Sequence, residues 1–256
     1  MSYDKDRIPL KPLKWYRGLA TDKGRLEAGA FLVEGDRAIQ QIIGTRPDAI
    51  IEIVTFETPL STCGDYPIRL VTERQFDSIS QAKTPQGLLA VVRMPPDIYS
   101  DRLPDSIGER VLLLEDIQDP GNVGTLIRTA VAFGYGGIIL TDRCADPLSP
   151  KCVQSTAGTL LSLCIRRTAN YLDLVKSLKD KGYCLIAADL NGDEDPSVLK
   201  RSDKVVLALG NEAAGLSQKI LGIADHRFRV PIDRHRAESL NVAACGAICM
   251  YLSVSG

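Results

Sequence analysis

Beyond residue 110 the chain alternates between short apolar runs and segments whose apolar residues recur at helical spacing. Val111–Leu114, Gly137–Leu140, Tyr183–Ala188, Lys204–Leu209 and Phe228–Ile232 read as strands. Most of these runs are continuously apolar rather than alternating, the pattern of strands covered on both faces. Val123–Phe133 and Leu172–Lys181 read as helices closed by Gly134 and Gly182, and Ser239–Leu252 as a last helix rich in small residues. Ser149-Pro150 supplies an N-cap and an N1 proline for a further helix reaching Leu163. The alternation predicts α/β architecture, a mostly parallel sheet with helices on both faces.

Upstream the elements are shorter. Ala30–Val33, Ile50–Phe56, Ile68–Val71 and Leu88–Arg93 read as strands, with helices over Asp36–Ile43 and Glu73–Ser80. They predict a small α/β sandwich. From Met94-Pro95-Pro96 to Leu103-Pro104-Asp105 the chain is rich in proline and polar residues, as linkers are. A chain of 256 residues exceeds one ordinary core, so residues 1–95 are expected as one domain, 96–108 as a linker and 109–256 as a second domain.

Charge narrows little. The 31 basic and 32 acidic side chains leave a net charge of -1, so any nucleic-acid contact must come from local clusters. No secretory signal and no membrane span is expected, because no apolar stretch is long enough. The seven cysteines are odd in number and irregular in spacing, which suits reduced thiols in a cytoplasmic protein. Cys245 and Cys249 stand four apart, but no C-x-x-C pair exists, and no metal site is expected.

The chemistry lies in three glycine-bearing segments, each after a predicted strand and before a helix-like run: Asp119–Ala130, Leu207–Ser217 and Val230–Ala244. A parallel sheet gathers such turns at the carboxyl ends of its strands, where ligands bind. In the first, Pro120-Gly121 makes a tight turn, Asn122 suits an N-cap, and Arg128 follows one to two turns into the helix. Arg128 is either a surface arginine paired with Glu115 or Asp116, or one aimed at a phosphate or anionic oxygen. G-x-G-x-x-G is absent, which argues against a dinucleotide enzyme. In the second segment Gly210 ends a strand where a ligand can touch main chain, and Glu212 either caps the next helix or acts in chemistry. In the third, Ser239 and Asn241 frame the start of the last helix, where free N–H groups collect, and Ser239 alone suits a simple cap.

Together these segments resemble the TrmH/SpoU family of RNA ribose methyltransferases in the SPOUT superfamily. The likeness rests on N-x-G-x-x-x-R (Asn122, Gly124, Arg128), G-x-E-x-x-G-L-S (Gly210, Glu212, Gly215 to Ser217), S-L-N-V (Ser239 to Val242) and Ser155-Thr156-Ala157-Gly158. It spans residues 110–253. Phe31–Gly35 and Thr84–Gly87 make the front portion similar to the ribosomal-protein-like RNA-binding module often appended in that family. The resemblance implies methyl transfer from S-adenosylmethionine to a ribose 2′-hydroxyl, in a homodimer joined through the carboxyl-terminal domain and tied there in a trefoil knot. It also implies that Leu209, Gly210, Val230, Ile232 and Leu240 surround the cofactor, and that Asn122, Arg128, Glu212, Ser239 and Asn241 form the polar active-site set. Ile232–Glu238 departs from the family pattern, which has a glycine there and a loop one residue shorter.

Arg128 is often cast as the general base in this family. A guanidinium holds its proton in proteins, so gripping the phosphate beside the target ribose and stabilising the developing alkoxide is the role expected here. Lys5, Arg7, Lys11, Lys14, Arg17, Lys23 and Arg25, beside Trp15 and Tyr16, form a basic arm suited to phosphates and bases, with Lys14, Arg17 and Arg25 the expected RNA contacts, and Arg234, His235 and Arg236 form a second basic loop. Ribosomal RNA is the expected substrate; a tRNA methyltransferase and a non-catalytic ribosome-assembly factor are the alternatives.

Overall fold

The computed structural model describes residues 11–57, 64–82, 84–193, 195–200, 202–233 and 235–254. Arg234, and Lys5 and Arg7 of the expected basic arm, lie outside them. The chain divides into two compact units: the described residues up to Pro96 with Leu148–Ser162, and Asp97–Pro147 with the described residues from Leu163 onward.

The first unit opens with helices α1 (Leu13–Gly18) and α2 (Asp22–Ala28), followed by β1 (Ala30–Glu34), α3 (Asp36–Thr45), β2 (Ile50–Thr55), β3 (Ile68–Leu70), α4 (Glu73–Asp77) and β4 (Leu88–Arg93). Its sheet runs β1-β4-β2-β3, antiparallel except for β2 beside β3. The supposed arm is helical because Leu13, Tyr16 and Leu19 recur every three residues and bury an apolar stripe beside Leu32, Phe76, Ile79 and Leu89. The Tyr16 hydroxyl donates to Glu52 and accepts from Arg69 at 2.7 Å. Burial and the neighbouring Glu52 carboxylate push that phenol well above its usual range. Tyr16 is therefore core, not a stacking surface.

The unit also includes α6 (Pro150–Thr156). This helix ends before the expected Leu163 because Ala157 is left-handed at φ +50°. A Cβ on Gly158 would stand 2.3 Å from the Ala38 carbonyl oxygen, so only glycine lets this segment lie against α3.

The second unit contains β5 (Arg110–Leu114), α5 (Pro120–Ala132), β6 (Gly137–Thr141), β7 (Cys164–Thr168), α7 (Tyr171–Asp180), β8 (Cys184–Asp193), β9 (Val205–Leu209), α8 (Gln218–Ile223), β10 (His226–Phe228) and α9 (Val242–Val254). Its sheet runs β10-β8-β9-β5-β6-β7 and every pairing is parallel. Val111, Leu113, Leu185, Val206 and Ala208 point to one face, under Leu174, Val175 and Leu178 of α7 and Ile220 of α8. On the other face α5 and α9 pack together: a Cβ on Gly246 would stand 2.5 Å from Leu126 Cδ2 and 2.6 Å from Leu209 Cδ1. After the edge strand β10 the chain thus returns to the middle of its own sheet, consistent with the knotted carboxyl end.

Strand β7 escaped the hydrophobic pattern because Arg166 and Arg167 interrupt it. Both arginines donate to main-chain carbonyls, Arg166 to Arg102 at 2.7 Å and Arg167 to Cys144 at 3.0 Å. The segment expected as a linker runs beside this strand, where Ile98 is buried, its carbonyl accepts from the Arg167 N–H, and Asp101 accepts from Thr168 and Asn170. Proline and polar residues suit an edge cover as well as a linker.

Candidate active site

Helix α5 starts at Pro120, whose missing N–H is one that the first turn leaves unpaired anyway. Its cap is Asp119, which accepts from the Asn122 N–H at 3.0 Å; the expected cap, Asn122, keeps its own side chain for other partners. Asn122 Nδ2 donates to Glu212 Oε1 at 2.9 Å, and Asn122 Oδ1 accepts from Asn241 Nδ2 at 3.1 Å. Asn241 Oδ1 accepts the N–H groups of Ala243 and Ala244, so Asn241 rather than Ser239 caps α9. The order of donors is forced: main-chain N–H groups only donate, which fixes the Asn241 amide, then the Asn122 amide, and directs the last N–H to a carboxylate. One residue from each of the three segments is thus joined in a single relay.

Glu212 sits in a turn closed by reciprocal hydrogen bonds between Asn211 and Gly215, at 3.1 and 2.9 Å. Gly215 takes φ +68°, and a Cβ on Gly210 would stand 2.3 Å from the Gly215 carbonyl carbon. Three further bonds pin the turn. Asn211 Nδ2 donates to the Asp116 carbonyl at 2.9 Å, and the buried Glu115 carboxylate accepts from both the N–H and the hydroxyl of Ser217 at 2.7 Å. Tyr171 donates to the same carboxylate at 2.7 Å; burial and that charge push its phenol up to about 12. Glu212 does not cap α8, a role taken by Ser217.

Arg128 is exposed on α5 and makes no hydrogen bond or ion pair among the described residues. Its expected surface partners are engaged elsewhere, Glu115 as above and Asp116 with Arg143 at 3.2 Å. At about 1.5 Å rise per residue it lies roughly 9 Å along the helix from Asn122.

Beside the relay is a cleft of about 100 Å³ lined by Val230, Ile232, Ser239 and Leu240, as well as Ala188, Asp189, Leu190, Phe228, Arg229 and Cys245. Strand β10 ends at Phe228, short of the expected Ile232, so Val230 and Ile232 reach the cleft from the following loop. Leu209 and Gly210 do not line it: Leu209 is buried at the end of β9 beside Gly246, and Gly210 is pressed against Gly215. Asp189, Leu190 and Cys245 were missed. The carboxyl-end rule applied to β8, and the four-residue helical spacing from Asn241 to Cys245, would have found them.

The cleft fits part of S-adenosylmethionine. Its lining is mostly apolar, and Asp189 Oδ2 is a buried acceptor with no hydrogen bond among the described residues, although Arg227 stands 3.5 Å away. An apolar slot with one acceptor suits a flat adenosine and its hydroxyls. Among the described residues no group of His, Cys, Asp or Glu is placed to hold a metal.

Of the residues expected to touch RNA, Lys14 and Arg17 are exposed on α1, and Arg236 is exposed with Asp233 at 3.5 Å. Arg25 is a correction: it is 1% exposed and donates to the Leu19 and Ala20 carbonyls and to Asp22. It ties α2 to the end of α1 and is not available to RNA. Of the motif residues in the first unit, Gly35 and Gln86 stand together, with Gln86 Oε1 2.9 Å from where a Gly35 Cβ would be.

Residues 11–90 match the MRM3-like substrate binding domain. The chain is 31% identical to the 23S rRNA (guanosine(2553)-2′-O)-methyltransferase RlmP of Bacillus subtilis, over 93% of this chain and 94% of that one. Among solved structures it resembles the SpoU methyltransferase AviRb of Streptomyces viridochromogenes in complex with S-adenosylmethionine (TM-score 0.81, 26% identity, 96% and 97% of the two chains). It also resembles an S-adenosylmethionine-bound rRNA methyltransferase of Sinorhizobium meliloti (TM-score 0.79, 29% identity, 99% and 96%). Residues 109–251, which carry all three members of the relay and the cleft beside it, match the SpoU rRNA methylase family, and the chain belongs to that family.

Proposed function

We propose that this protein transfers a methyl group from S-adenosylmethionine to a ribose 2′-hydroxyl of 23S ribosomal RNA. The observation that carries the reading is the Glu212–Asn122–Asn241 relay, which holds a polar site against the cleft edge formed by Ser239 and Leu240. S-adenosylmethionine, when bound, supplies an electrophilic methyl on a sulfonium.

The chain's own residues do the rest. Val230, Ile232, Leu240 and Asp189 bind and orient the cofactor in the cleft. Arg128, free of protein partners among the described residues, grips the phosphate beside the target ribose and stabilises negative charge on the 2′-oxygen as its proton passes to solvent water. Ser239, exposed beside Asn241, positions the hydroxyl. Lys14 and Arg17 hold RNA phosphates through the first unit, and Arg236 does so from the loop before α9.

Two copies join through α9 to form a homodimer. This helix is apolar all round, yet Ile248 is 38% and Tyr251 55% exposed, the mark of a helix that lacks part of its cover. Among the described residues no helix is long and apolar enough to cross a membrane, and the proposed site of action is the cytoplasm.

The test uses purified protein, methyl-labelled S-adenosylmethionine and RNA from a strain lacking the gene. Label recovered as a 2′-O-methyl nucleoside in the 23S fraction is the expected result. Label confined to tRNA, or cofactor binding without transfer to any RNA, would overturn the assignment.

A further inference from the structure

The parallel sheet holds a second cavity that methyl transfer, as described above, does not use. In the strand order the connections from β5 lead one way, to β6 and β7, while that from β9 leads the other way, to β10. Ligands of open parallel sheets lie at such a reversal, outside the carboxyl ends of the strands. A cavity of about 320 Å³ is built there, with Asp116 and Gln118 following β5, Arg143 following β6 and Asn211 following β9. Its volume is at the lower end of the roughly 300–1,000 Å³ of small-molecule sites.

The wall is strained and held. Asp116 takes φ +58°, a left-handed conformation that costs a non-glycine residue energy and persists only where neighbours enforce it. Thr141 Oγ1 donates to Asp116 Oδ1 at 2.7 Å and accepts from the Asp116 N–H at 2.9 Å, while Asn211 holds the Asp116 carbonyl. Asp116 in turn fixes the Arg143 guanidinium at 3.2 Å while leaving that side chain 72% exposed. Gln118 is exposed, with no hydrogen bond among the described residues, and carries both a donor and an acceptor.

The charge decides the ligand class. Glu115 and Asp116 outweigh Arg143 in the lining, so a phosphate is disfavoured. A neutral planar group with a hydrogen-bonding edge fits: a carboxamide can read that edge and a tethered guanidinium can lie along the face. Asn211 lines the cavity, and the next residue, Glu212, belongs to the relay. We propose that this cavity receives an unstacked base of the substrate RNA next to the methylated ribose, with Gln118 and Arg143 as specificity-determining residues. This rests on the methyltransferase reading.

The experiment compares full-length wild type with Gln118→Ala, Gln118→Glu and Arg143→Ala, using an unmodified 23S rRNA transcript and labelled S-adenosylmethionine. Each substitution should raise KM for RNA about tenfold, near the low end of what one base contact is worth, with kcat within about twofold. The cofactor Kd should not move. Unchanged KM in both Gln118 variants overturns the proposal, as does a loss that falls wholly on cofactor binding. If wild type itself does not methylate the transcript, it is the assigned reaction that fails, and direct titration of the proteins with the four nucleosides decides the cavity separately. Binding of a nucleoside to wild type that both Gln118 variants lose supports it; no binding to wild type overturns it.

Discussion

Asn241 donates its side-chain Nδ2 to the side-chain Oδ1 of Asn122 at 3.1 Å, across 119 residues of chain. The bond joins the cap of α9 to the first turn of α5 and leaves the Asn122 side-chain Nδ2 directed at Glu212. Asn122→Asp would place two carboxylates at hydrogen-bond distance, and the pair would favour holding one proton between them. Methyl transfer by this variant should fall about 10²-fold at neutral pH and recover in part as pH is lowered and the shared proton returns. A pH–rate profile that overlays wild type would refute the relay.

Arg128→Ala should reduce transfer by about 10²–10³-fold, the effect of removing one preorganised charge-stabilising donor. Because Arg128 touches none of the cleft-lining groups through a hydrogen bond, calorimetric titration with S-adenosylmethionine should be unchanged. Near-normal turnover would remove Arg128 from the mechanism.

For RNA binding, Lys14→Ala combined with Arg17→Ala leaves the buried Tyr16 stripe of α1 intact. Affinity for rRNA should drop, and the slope of log K against log salt should flatten by about 0.7–0.9 for each phosphate that is no longer neutralised. Equal slopes for the two proteins would place the RNA elsewhere. Arg25→Ala differs in kind: it should lower stability, because main-chain carbonyls lose their buried donor.

Gly246→Val would drive side-chain atoms into Leu126 and Leu209. Overpacking of this kind costs about 1–3 kcal/mol, so the melting temperature should fall by roughly 3–10 °C. Cofactor affinity should fall with it, since α9 carries Cys245 of the cleft and the Asn241 cap. A melt equal to wild type would mean that α5 and α9 are not tightly packed.

Tyr251→Asp with Ile248→Asp should convert a dimer into a monomer in sedimentation at micromolar concentration, while the monomer keeps its helical signal. Wild type that sediments as a monomer would refute dimerisation through α9.

Much of this molecule was legible in its sequence where apolar runs are uninterrupted. Strands β5, β6 and β9 fall within a residue of expectation because Val111–Leu114, Gly137–Leu140 and Val205–Leu209 are buried on both faces and admit no polar residue. Polar side chains that serve the interior were the source of error. Arg166 and Arg167 masked β7 by bonding to carbonyls, and Arg25 passed for an RNA ligand for the same reason. The site divides in the same way. The motif residues include all three side chains of the relay, and the Asp119 cap, three residues from Asn122, is a local contact open to sequence reading. That Glu115 anchors Ser217 102 residues away, and that Asn122 meets Glu212 and Asn241 90 and 119 residues away, depends on tertiary partners.

The first unit includes Leu148–Ser162, a segment encoded between β6 and β7 of the second. During synthesis the amino-terminal portion emerges from the ribosome well before that segment exists. Its surface around Ala38 therefore remains uncovered until residue 162 has been translated, and its final maturation is tied to completion of more than half of the polypeptide.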